Sequence, residues 1–153
     1  MNRVAIGLGS NLGDRHANLD IAVNGLRNLL EGVAVSRYYQ TTPVGVSGPQ
    51  PLYLNAAAIG HTVLSPRDLL HALLDIERSA GRERPYHYAP RTLDLDLVLF
   101  GDAIIDEPEL IVPHPRFRER RFVLEPLAEI APELRDPVSG KSVSELLDCI
   151  RTA

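Results

Sequence analysis

The feature that most constrains the fold of this chain is a pair of strand-like segments with no helix between them. Residues 33–39 and 52–63 are rich in apolar and aromatic residues, and the connecting segment 41–51 is rich in proline and glycine. A doubly wound parallel sheet needs a long crossover, usually a helix, between successive strands. The connecting segment offers no helical pattern, so the sequence argues against that fold and favours a mainly antiparallel sheet.

The other segments complete the order of elements. Leucine and valine at helical spacing predict a helix over 15–31, and Ser65 predicts the N-cap of a second helix that stops near Gly81. Further strands are predicted at 3–8, 91–100 and 103–105, a partly helical segment at 116–130, and a closing helix at 142–151. The order predicts an α+β, ferredoxin-like βαββαβ fold with helices packed on a mainly antiparallel sheet and a C-terminal helical extension. We expect residues 1–153 to form a single domain.

Composition and charge exclude several classes of protein. Apolar residues make up 44% of the chain and charged residues 24%, which is ordinary for a globular protein. No apolar run is long enough to span a bilayer, and a net charge of −4 gives no reason to expect nucleic acid. The single cysteine, Cys149, excludes an internal disulfide and fits a reducing compartment. We therefore expect a cytoplasmic monomer that binds neither nucleic acid nor membrane.

Arginine is concentrated in one part of this acidic protein. Seven arginines lie between residues 82 and 121. The planar guanidinium group donates two parallel hydrogen bonds to phosphate or carboxylate oxygens, so the cluster indicates a compact anionic ligand. The alternative is ordinary solvated surface charge.

The stretch AIGLGSNLGDR at residues 5–15 has the appearance of a phosphate-binding loop. It fails the dinucleotide fingerprint, because Leu12 stands where a third glycine is needed and no acidic residue follows the next strand. It also lacks the G-K-[ST] of a P-loop. We therefore interpret it as a tight turn in which glycines take positive φ and an Asn or Asp side chain caps the next helix.

The strongest chemical signal is RTLDLDL at residues 91–97. Alternation along a strand places leucines 93, 95, 97 and 99 on the core face, and Asp94 and Asp96 on the other face with Val98 and Phe100. Two neighbouring carboxylates repel each other unless a cation neutralises them, and Mg²⁺ commonly takes one or two carboxylates together with substrate phosphates. The pair therefore predicts a metal site, with a solvated polar face as the alternative.

Other candidate residues accompany the acid pair. Tyr53 and Asn55 share one face of their predicted strand, and a ring beside an amide suits a flat heterocycle with a donor–acceptor edge. The remaining candidates lie near the acid pair in sequence or late in the second helix, and they are Glu77, Arg82, Arg84, Arg91, His114, Arg120 and Phe122. Each alone has a structural explanation, so the hypothesis depends on their combination.

Several motifs, in order, resemble the 6-hydroxymethyl-7,8-dihydropterin pyrophosphokinase family of folate biosynthesis. They are GLGSNLGD at 7–14, YQTTPVG at 39–45, YLNAA at 53–57, APRTLDLDLVLFG at 89–101 and VPHPRFRERRFVLEPL at 112–127. The resemblance covers nearly the whole chain. It implies a ferredoxin-like fold and an ATP-dependent diphosphotransferase that moves pyrophosphate from ATP to the hydroxymethyl group of the pterin and releases AMP.

The resemblance also implies roles for individual residues. Asp94 and Asp96 would hold two Mg²⁺ ions on the ATP phosphates. Arg82 and Arg91 would join them in catalysis. The ATP-binding residues would be Glu77, Arg84, Arg91, His114 and Arg120. The pterin-binding residues would be Thr41, Val44, Tyr53, Asn55, Asp94 and Phe122, with Tyr53 and Phe122 on the two sides of the ring.

The chain departs from the family pattern at two places. His87-Tyr88 stands where the family often has Arg-Trp on a closing loop, and Glu109 stands where some members have an arginine on the nucleotide side. Two other functions remain open at this point. One is another Mg²⁺-dependent nucleotide hydrolase or transferase, and the other is a non-catalytic module that binds pterin or nucleotide.

Overall fold

The computed structural model describes residues 1–11, 13–41, 53–81 and 92–151 of the chain. Its strands are β1 (Asn2–Ser10), β2 (Glu31–Val35), β3 (Tyr39–Thr41), β4 (Tyr53–Thr62), β5 (Asp94–Phe100), β6 (Ile105–Glu107) and β7 (Leu110–Val112). Its helices are α1 (Arg15–Leu29), α2 (Pro66–Gly81), α3 (Arg121–Ile130) and α4 (Val143–Arg151), with a 3₁₀ turn at Phe117–Glu119. No helix within these residues is long and apolar enough to cross a membrane.

The central sheet has the strand order β2-β4-β1-β5, and β3 pairs with β4 beyond the end of β2. The described pairings in this sheet are antiparallel. With α1 between β1 and β2, and α2 between β4 and β5, this topology is the predicted ferredoxin-like βαββαβ arrangement. The fold prediction is therefore confirmed. β6 and β7 form a separate small hairpin.

Helices cover the two faces of the sheet unequally. On the first face, α1 and α2 bury residues such as Leu19, Leu26 and Leu73 against apolar side chains of β1, β4 and β5. On the second face, α3 and α4 form another core, in which Leu124 and Leu147 pack against the sheet. The C-terminal helices are thus part of the packing around the sheet, and they leave the rest of the second face open for a site.

The predicted strand at 33–39 is two strands in the structure, and Ser36 is the physical reason. Its backbone N–H donates to the carbonyl of Ala57 at 2.9 Å, and its hydroxyl accepts the Ala57 N–H at 2.9 Å. A side chain therefore replaces a backbone partner in the ladder. From Ser36 to Tyr39 the chain advances three residues while β4 advances two, from Ala57 to Asn55.

A second irregularity lies in β5. Ile6 pairs with Leu97 and Ala5 pairs with Leu99, so Val98 is an extra residue opposite β1. Such a bulge reverses the facing of the residues that follow it. The prediction that Leu99 joins the core of leucines 93, 95 and 97 is wrong, since Leu99 lies in the α3–α4 core. Phe100, predicted on the acid face, lies in the α1–α2 core.

The glycine-rich stretch is also different from its interpretation as a tight turn. Gly7 and Gly9 lie inside β1, where they pair with β4 and β5. Gly13 does take a positive φ, of 65°. Asp14 caps α1, since its carboxylate accepts the N–H of Ala17 at 3.0 Å. The turn interpretation is therefore right for the cap and for Gly13. Gly7 lies in the strand predicted at 3–8, and the interpretation is wrong for Gly9, because β1 continues to Ser10.

Candidate functional site

A cavity formed by the described residues lies on the open part of the second face of the sheet. It has a volume of about 580 Å³, which is within the range of small-molecule sites. β1, β4 and β5 form its floor, and the segment from Arg116 to Val123 forms one wall. Of α3 and α4, only the first residues of α3 reach this area, so polar side chains of the sheet face a concave space.

The floor of the pocket is built by the register of three strands. In β1, Gly9 pairs with Asp94 on one side and Asn55 on the other, and Gly7 pairs with Asp96. A side chain on Gly9 would place its Cβ 3.1 Å from Nδ2 of Asn55. The glycines therefore keep a groove open between the amide of β4 and the carboxylates of β5.

Two sets of contacts fix the position of β5 and hence of its acids. At its start, the buried hydroxyl of Ser10 donates to the carbonyl of Thr92 at 2.5 Å, and Nδ2 of Asn18 donates to the same carbonyl at 3.3 Å. In the strand, the N–H of Leu95 donates to Oε2 of Glu77 at 2.7 Å. The residue between the two acids is thus bonded to helix α2, which restrains both carboxylates.

The donor set suits a magnesium ion that shares its shell with a substrate. Asp94 and Asp96 are both partly exposed and both line the pocket. Within the described ranges, no group of three or more His, Cys, Asp or Glu side chains could hold a metal ion. A site with one or two carboxylates, completed by water and phosphate oxygens, is what Mg²⁺ prefers over a cage made of protein alone.

Aromatic and amide groups line the other side of the pocket. Tyr53 begins β4, and Phe122 is the second residue of α3. Asn55 is only 6% exposed, and its Oδ1 accepts a hydrogen bond from the hydroxyl of Thr41. Because the Thr41 hydroxyl occupies Oδ1, the NH₂ group of Asn55 lies beside Gly9 and can donate to the edge of a ring.

Positively charged side chains border one side of the pocket. Arg116, Arg120 and Arg121 all line it, and Cζ of Arg120 lies 5.5 Å from the centre of the Phe122 ring. Arg121 is also paired with Glu125. The first turn of α3 borders the same space, and the positive end of a helix dipole favours an anion there. The wall therefore suits a ligand with phosphate groups.

His114 stands next to this wall and is half-buried. Its backbone N–H donates to the carbonyl of Val98 at 3.0 Å, and its Nδ1 accepts the N–H of Arg116 at 3.2 Å. Burial lowers the pKa of His114 below 6.5, and Arg120 and Arg116 lower it further, whereas Asp96 acts in the opposite direction. A lowered pKa favours the neutral ring, and a neutral ring whose Nδ1 accepts a hydrogen bond has its proton on Nε2, from which it can donate.

The structure brings together seven of the residues singled out in the sequence. Lining the pocket are Thr41, Tyr53, Asn55, Asp94, Asp96, Arg120 and Phe122. Glu77 does not line it and contacts the backbone of β5 instead. His114 lies beside it, within electrostatic reach of Asp96.

Some candidates lie outside the described residues. These are Val44, Arg82, Arg84, Arg91 and the pair His87-Tyr88. Glu109 is described, and it lies 3.8 Å from Arg67 on exposed surface, where it is not a lining residue of the pocket.

Sequence reasoning missed several lining residues. The predicted strand at 3–8 ends before Gly9, which the turn interpretation places outside it, and the sequence indicates no individual role for Gly7, Arg116, Glu119 or Arg121. Period-two alternation, continued from Ala5 through the glycines, would have placed Gly7 and Gly9 on one face of β1. No local signal separates the arginines that line the pocket from Arg118, which does not.

Comparison with protein families gives a match over most of the chain. Residues 5–132 match the family described as 7,8-dihydro-6-hydroxymethylpterin-pyrophosphokinase. This range includes most of β1, all of β2 to β7, the first three helices and every lining residue of the pocket.

Named relatives agree with that match. A protein of Pseudomonas aeruginosa, named 2-amino-4-hydroxy-6-hydroxymethyldihydropteridine pyrophosphokinase, is 44% identical over 149 residues, which are 96% of this chain and 91% of the relative. A protein of Bacillus subtilis with the same name is 45% identical over 148 residues, covering 95% of this chain and 88% of the relative.

Solved structures are similar in fold. The wild-type HPPK-DHPS protein of Plasmodium falciparum superimposes with a TM-score of 0.78 at 14% sequence identity, over 97% of this chain. An HPPK-DHPS structure in complex with substrates gives a TM-score of 0.74 at 12% identity. This chain spans only 44% and 43% of the lengths of those two solved chains.

Proposed function

Because the chain belongs to the 7,8-dihydro-6-hydroxymethylpterin-pyrophosphokinase family, we propose that its pocket is the site of pyrophosphate transfer from ATP to 6-hydroxymethyl-7,8-dihydropterin. The chain is an ATP-dependent diphosphotransferase of folate biosynthesis, and its products are AMP and the pterin diphosphate. Family membership favours this reaction over another nucleotide hydrolase and over a non-catalytic binding module. The observation that carries the assignment of the site is the strand register, with Asp94 and Asp96 beside the two glycines of β1.

On the pterin side, Tyr53 and Phe122 hold the flat ring between them, and Asn55 donates from its NH₂ group to the ring edge. This role is supported by the position of all three residues on the pocket and by the burial of Asn55. Thr41 and Val44 bind the ring through their backbone groups. Asp94 lies across Gly9 from Asn55, so a ring on this floor brings its substituent towards the acids.

On the phosphate side, Arg120 binds the triphosphate, and His114 donates to it from Nε2. The support is the position of Arg120 on the wall that also carries Arg116 and Arg121, and the position of His114 beside that wall, bonded to the N–H of Arg116. We extend the phosphate site to the arginines outside the described residues, which are Arg82, Arg84 and Arg91. Glu77 serves the nucleotide side by holding β5 through the N–H of Leu95.

Asp94 and Asp96 hold magnesium, and we propose two ions. Their carboxylates project from the same face of one strand, with Cα atoms roughly 7 Å apart at ordinary strand spacing. When bound, Mg²⁺ would neutralise the phosphate charge and polarise the transferred group. The remaining ligands are water and phosphate oxygens, in agreement with the two-carboxylate donor set.

The residues of the chain act mainly by position and charge. The hydroxymethyl oxygen forms a bond to the β-phosphorus of ATP and loses its proton to water. The bond from that phosphorus to the oxygen on the α-phosphate breaks, which releases AMP. Such a transfer needs little covalent chemistry from the protein. Tyr53, Phe122 and Asn55 orient the hydroxyl, and Arg120 stabilises charge on the leaving side.

We also propose that the protein works as a monomer in the cytoplasm, without nucleic acid or membrane partners. The support is its net charge of −4, its single cysteine and its ordinary composition. The unit of function is then the single domain of residues 1–153.

The test measures nucleotide products with pterin, nucleotide products without pterin, and ligand binding, for the wild type and for three variants. We expect AMP from ATP and Mg²⁺ only when the pterin is present. Asp94→Asn and Asp96→Asn should each lower kcat by at least about a hundredfold, because each removes a metal-binding charge. Asp106→Asn, on an exposed strand away from the pocket, is the matched control. AMP or ADP without pterin, binding without turnover, or near-normal activity of both acid variants would contradict the proposal.

A further inference from the structure

The segment that carries positive charge to the pocket has one arginine that points elsewhere. We call residues 116–121 the cationic segment. Arg116, Arg120 and Arg121 line the pocket. Arg118 is bonded instead to Asp136, in the C-terminal unit of residues 131–151. Arg118 is two residues from both Arg116 and Arg120. Its bond to Asp136 therefore restrains the backbone that carries those two side chains.

The Arg118–Asp136 contact is a two-point ion pair in a buried place. Nε of Arg118 donates to Oδ2 of Asp136 at 2.5 Å, and a terminal nitrogen donates to Oδ1 at 2.9 Å. Asp136 is 0% exposed and the Arg118 side chain is 26% exposed. The guanidinium also lies over the ring of Phe117, with Cζ 4.9 Å from its centre. A planar fork on a carboxylate fixes direction as well as distance.

The aspartate side of the pair is held firmly by its own turn. The carboxylate of Asp136 also accepts the N–H groups of Val138 and Ser139, at 3.0 and 3.2 Å. Its backbone N–H donates to the carbonyl of Lys141, and its own carbonyl accepts the N–H of Gly140. The turn therefore holds the Asp136 carboxylate in place, and Arg118 binds to this restrained carboxylate.

The cationic segment has little regular structure of its own. The 3₁₀ turn has only three residues, and the hydrogen bond from the N–H of Phe117 to the carbonyl of His114 is long, at 3.4 Å. Hydrogen bonds in 3₁₀ turns are also poorly directed. The buried ring of Phe117 packs in the α3–α4 core and fixes the distance of the segment from that core. The Arg118 fork adds a directional bond at the next residue.

We propose that the Arg118–Asp136 pair is a positioning device that holds the cationic segment so that Arg116 and Arg120 face the phosphates of the nucleotide. Arg118 is then a positioning residue, since it acts through its neighbours and does not touch the substrate. The C-terminal unit thereby takes part in nucleotide binding although it does not line the pocket. This inference rests on the function proposed above.

The test compares Arg118→Leu, Arg118→Lys and Asp136→Asn in the full-length enzyme. Kinetics with Mg²⁺–ATP and pterin give KM for each substrate, and thermal melting checks folding. We expect Arg118→Leu and Asp136→Asn to raise KM for ATP by about tenfold and to leave KM for pterin within about twofold. Arg118→Lys should be intermediate, because lysine keeps the charge and loses the fork.

Arg3→Leu is the matched control. It removes the ion pair of Arg3 with Glu133, at 2.9 Å, which ties β1 to the same C-terminal unit outside the cationic segment. We expect it to keep the wild-type KM for ATP. If Arg118→Leu or Asp136→Asn is too unstable to purify, Arg118→Lys carries the test, since that side chain can still pair with Asp136.

The outcomes separate this inference from the proposed function. A wild-type enzyme that forms no AMP overturns the proposed function and the inference with it. An active wild type whose Arg118 variants match Arg3→Leu in KM for ATP overturns the positioning role alone. A parallel rise in KM for both substrates also overturns it, because a general loss of structure would act on both sites.

Discussion

Gly9 shows how an absent side chain shapes a site. It lies between Asn55 and Asp94 in the register of the sheet, so the floor has no side chain between the amide of Asn55 and the acids of β5. A methyl group at this position would come within 3.1 Å of the Asn55 amide nitrogen. Since Asn55 is buried and bonded to the Thr41 hydroxyl, its amide has little room to move.

Gly9→Ala should therefore weaken pterin binding. We expect KM for pterin to rise by about tenfold, because the displaced amide loses a hydrogen bond worth about 1–2 kcal/mol, while KM for ATP changes little. Steady-state kinetics with each substrate varied in turn would measure this. Gly7→Ala is the comparison, since its Cβ would meet Val98 at an ordinary 3.6 Å. Equal effects of the two variants on KM for pterin would argue against crowding of Asn55.

At the scale of residues, the sequence predicts those features that depend only on neighbouring positions along the chain. Asp94 and Asp96 could be placed on one face because a strand of known phase alternates. Gly9 could not be placed in the strand from the sequence, because glycine suits both a turn and a close approach of strands. Only the pairing of β1 with both β4 and β5 distinguishes the two.

At the scale of elements, β5 is bonded to α2 through one carboxylate. Glu77 accepts the N–H of Leu95 at 2.7 Å, directly between the two acids. A backbone N–H that loses its partner near the core is costly, and the strand would shift to find another. Helix α2 therefore helps to set the position of Asp94 and Asp96, the carboxylates proposed to bind the metal.

Glu77→Gln and Glu77→Ala should behave differently. Glutamine keeps an oxygen that accepts the Leu95 N–H, so we expect activity within about threefold of the wild type. Alanine removes the acceptor, and we expect the Mg²⁺ concentration for half-maximal activity to rise and the free energy of unfolding to fall by about 1–3 kcal/mol. Magnesium titration of activity and urea denaturation would measure both. If glutamine raises KM for ATP as much as alanine does, Glu77 contacts the nucleotide directly.

The order of elements was predictable, but two irregularities in the strands were not. The break at Ser36 and the bulge at Val98 depend on the partners across the sheet, Ala57 and β1. Local propensity contains no information about those partners. The bulge matters most, because it sends Phe100 to the α1–α2 core after the acids have been placed on the other face.

At the scale of the whole molecule, one face of the sheet is used for packing alone, and the other is used for packing and for the pocket. The α1–α2 face is covered along its length, which makes the sheet a rigid floor. The second face is shared between the α3–α4 core and the pocket. Helix α3 therefore contributes to both the core and the pocket. It buries Leu124 and Leu127, while its first turn and the cationic segment border the pocket.

The same arrangement makes the stability of the molecule depend on pH through Asp136. Burial alone would raise the pKa of this carboxyl, but hydrogen bonds from Arg118, Ser139 and Val138 outweigh it and hold the pKa at about 2. An unfolded aspartate has a pKa of about 3.9. The folded state therefore gains stability from this group above about pH 4, and the gain is lost as pH falls towards 2.

We expect Asp136→Asn to lower the free energy of unfolding by roughly 2 kcal/mol near pH 7 through this charge, and by much less near pH 2.5. Urea denaturation of both proteins at several pH values would measure the difference. Other carboxylates with lowered pKa values, such as Glu129 and Glu145, are present in both proteins, so their contributions cancel in that difference. A difference that stays constant from pH 7 to pH 2.5 would mean that Asp136 stabilises the turn through shape and hydrogen bonding, without a contribution from its charge.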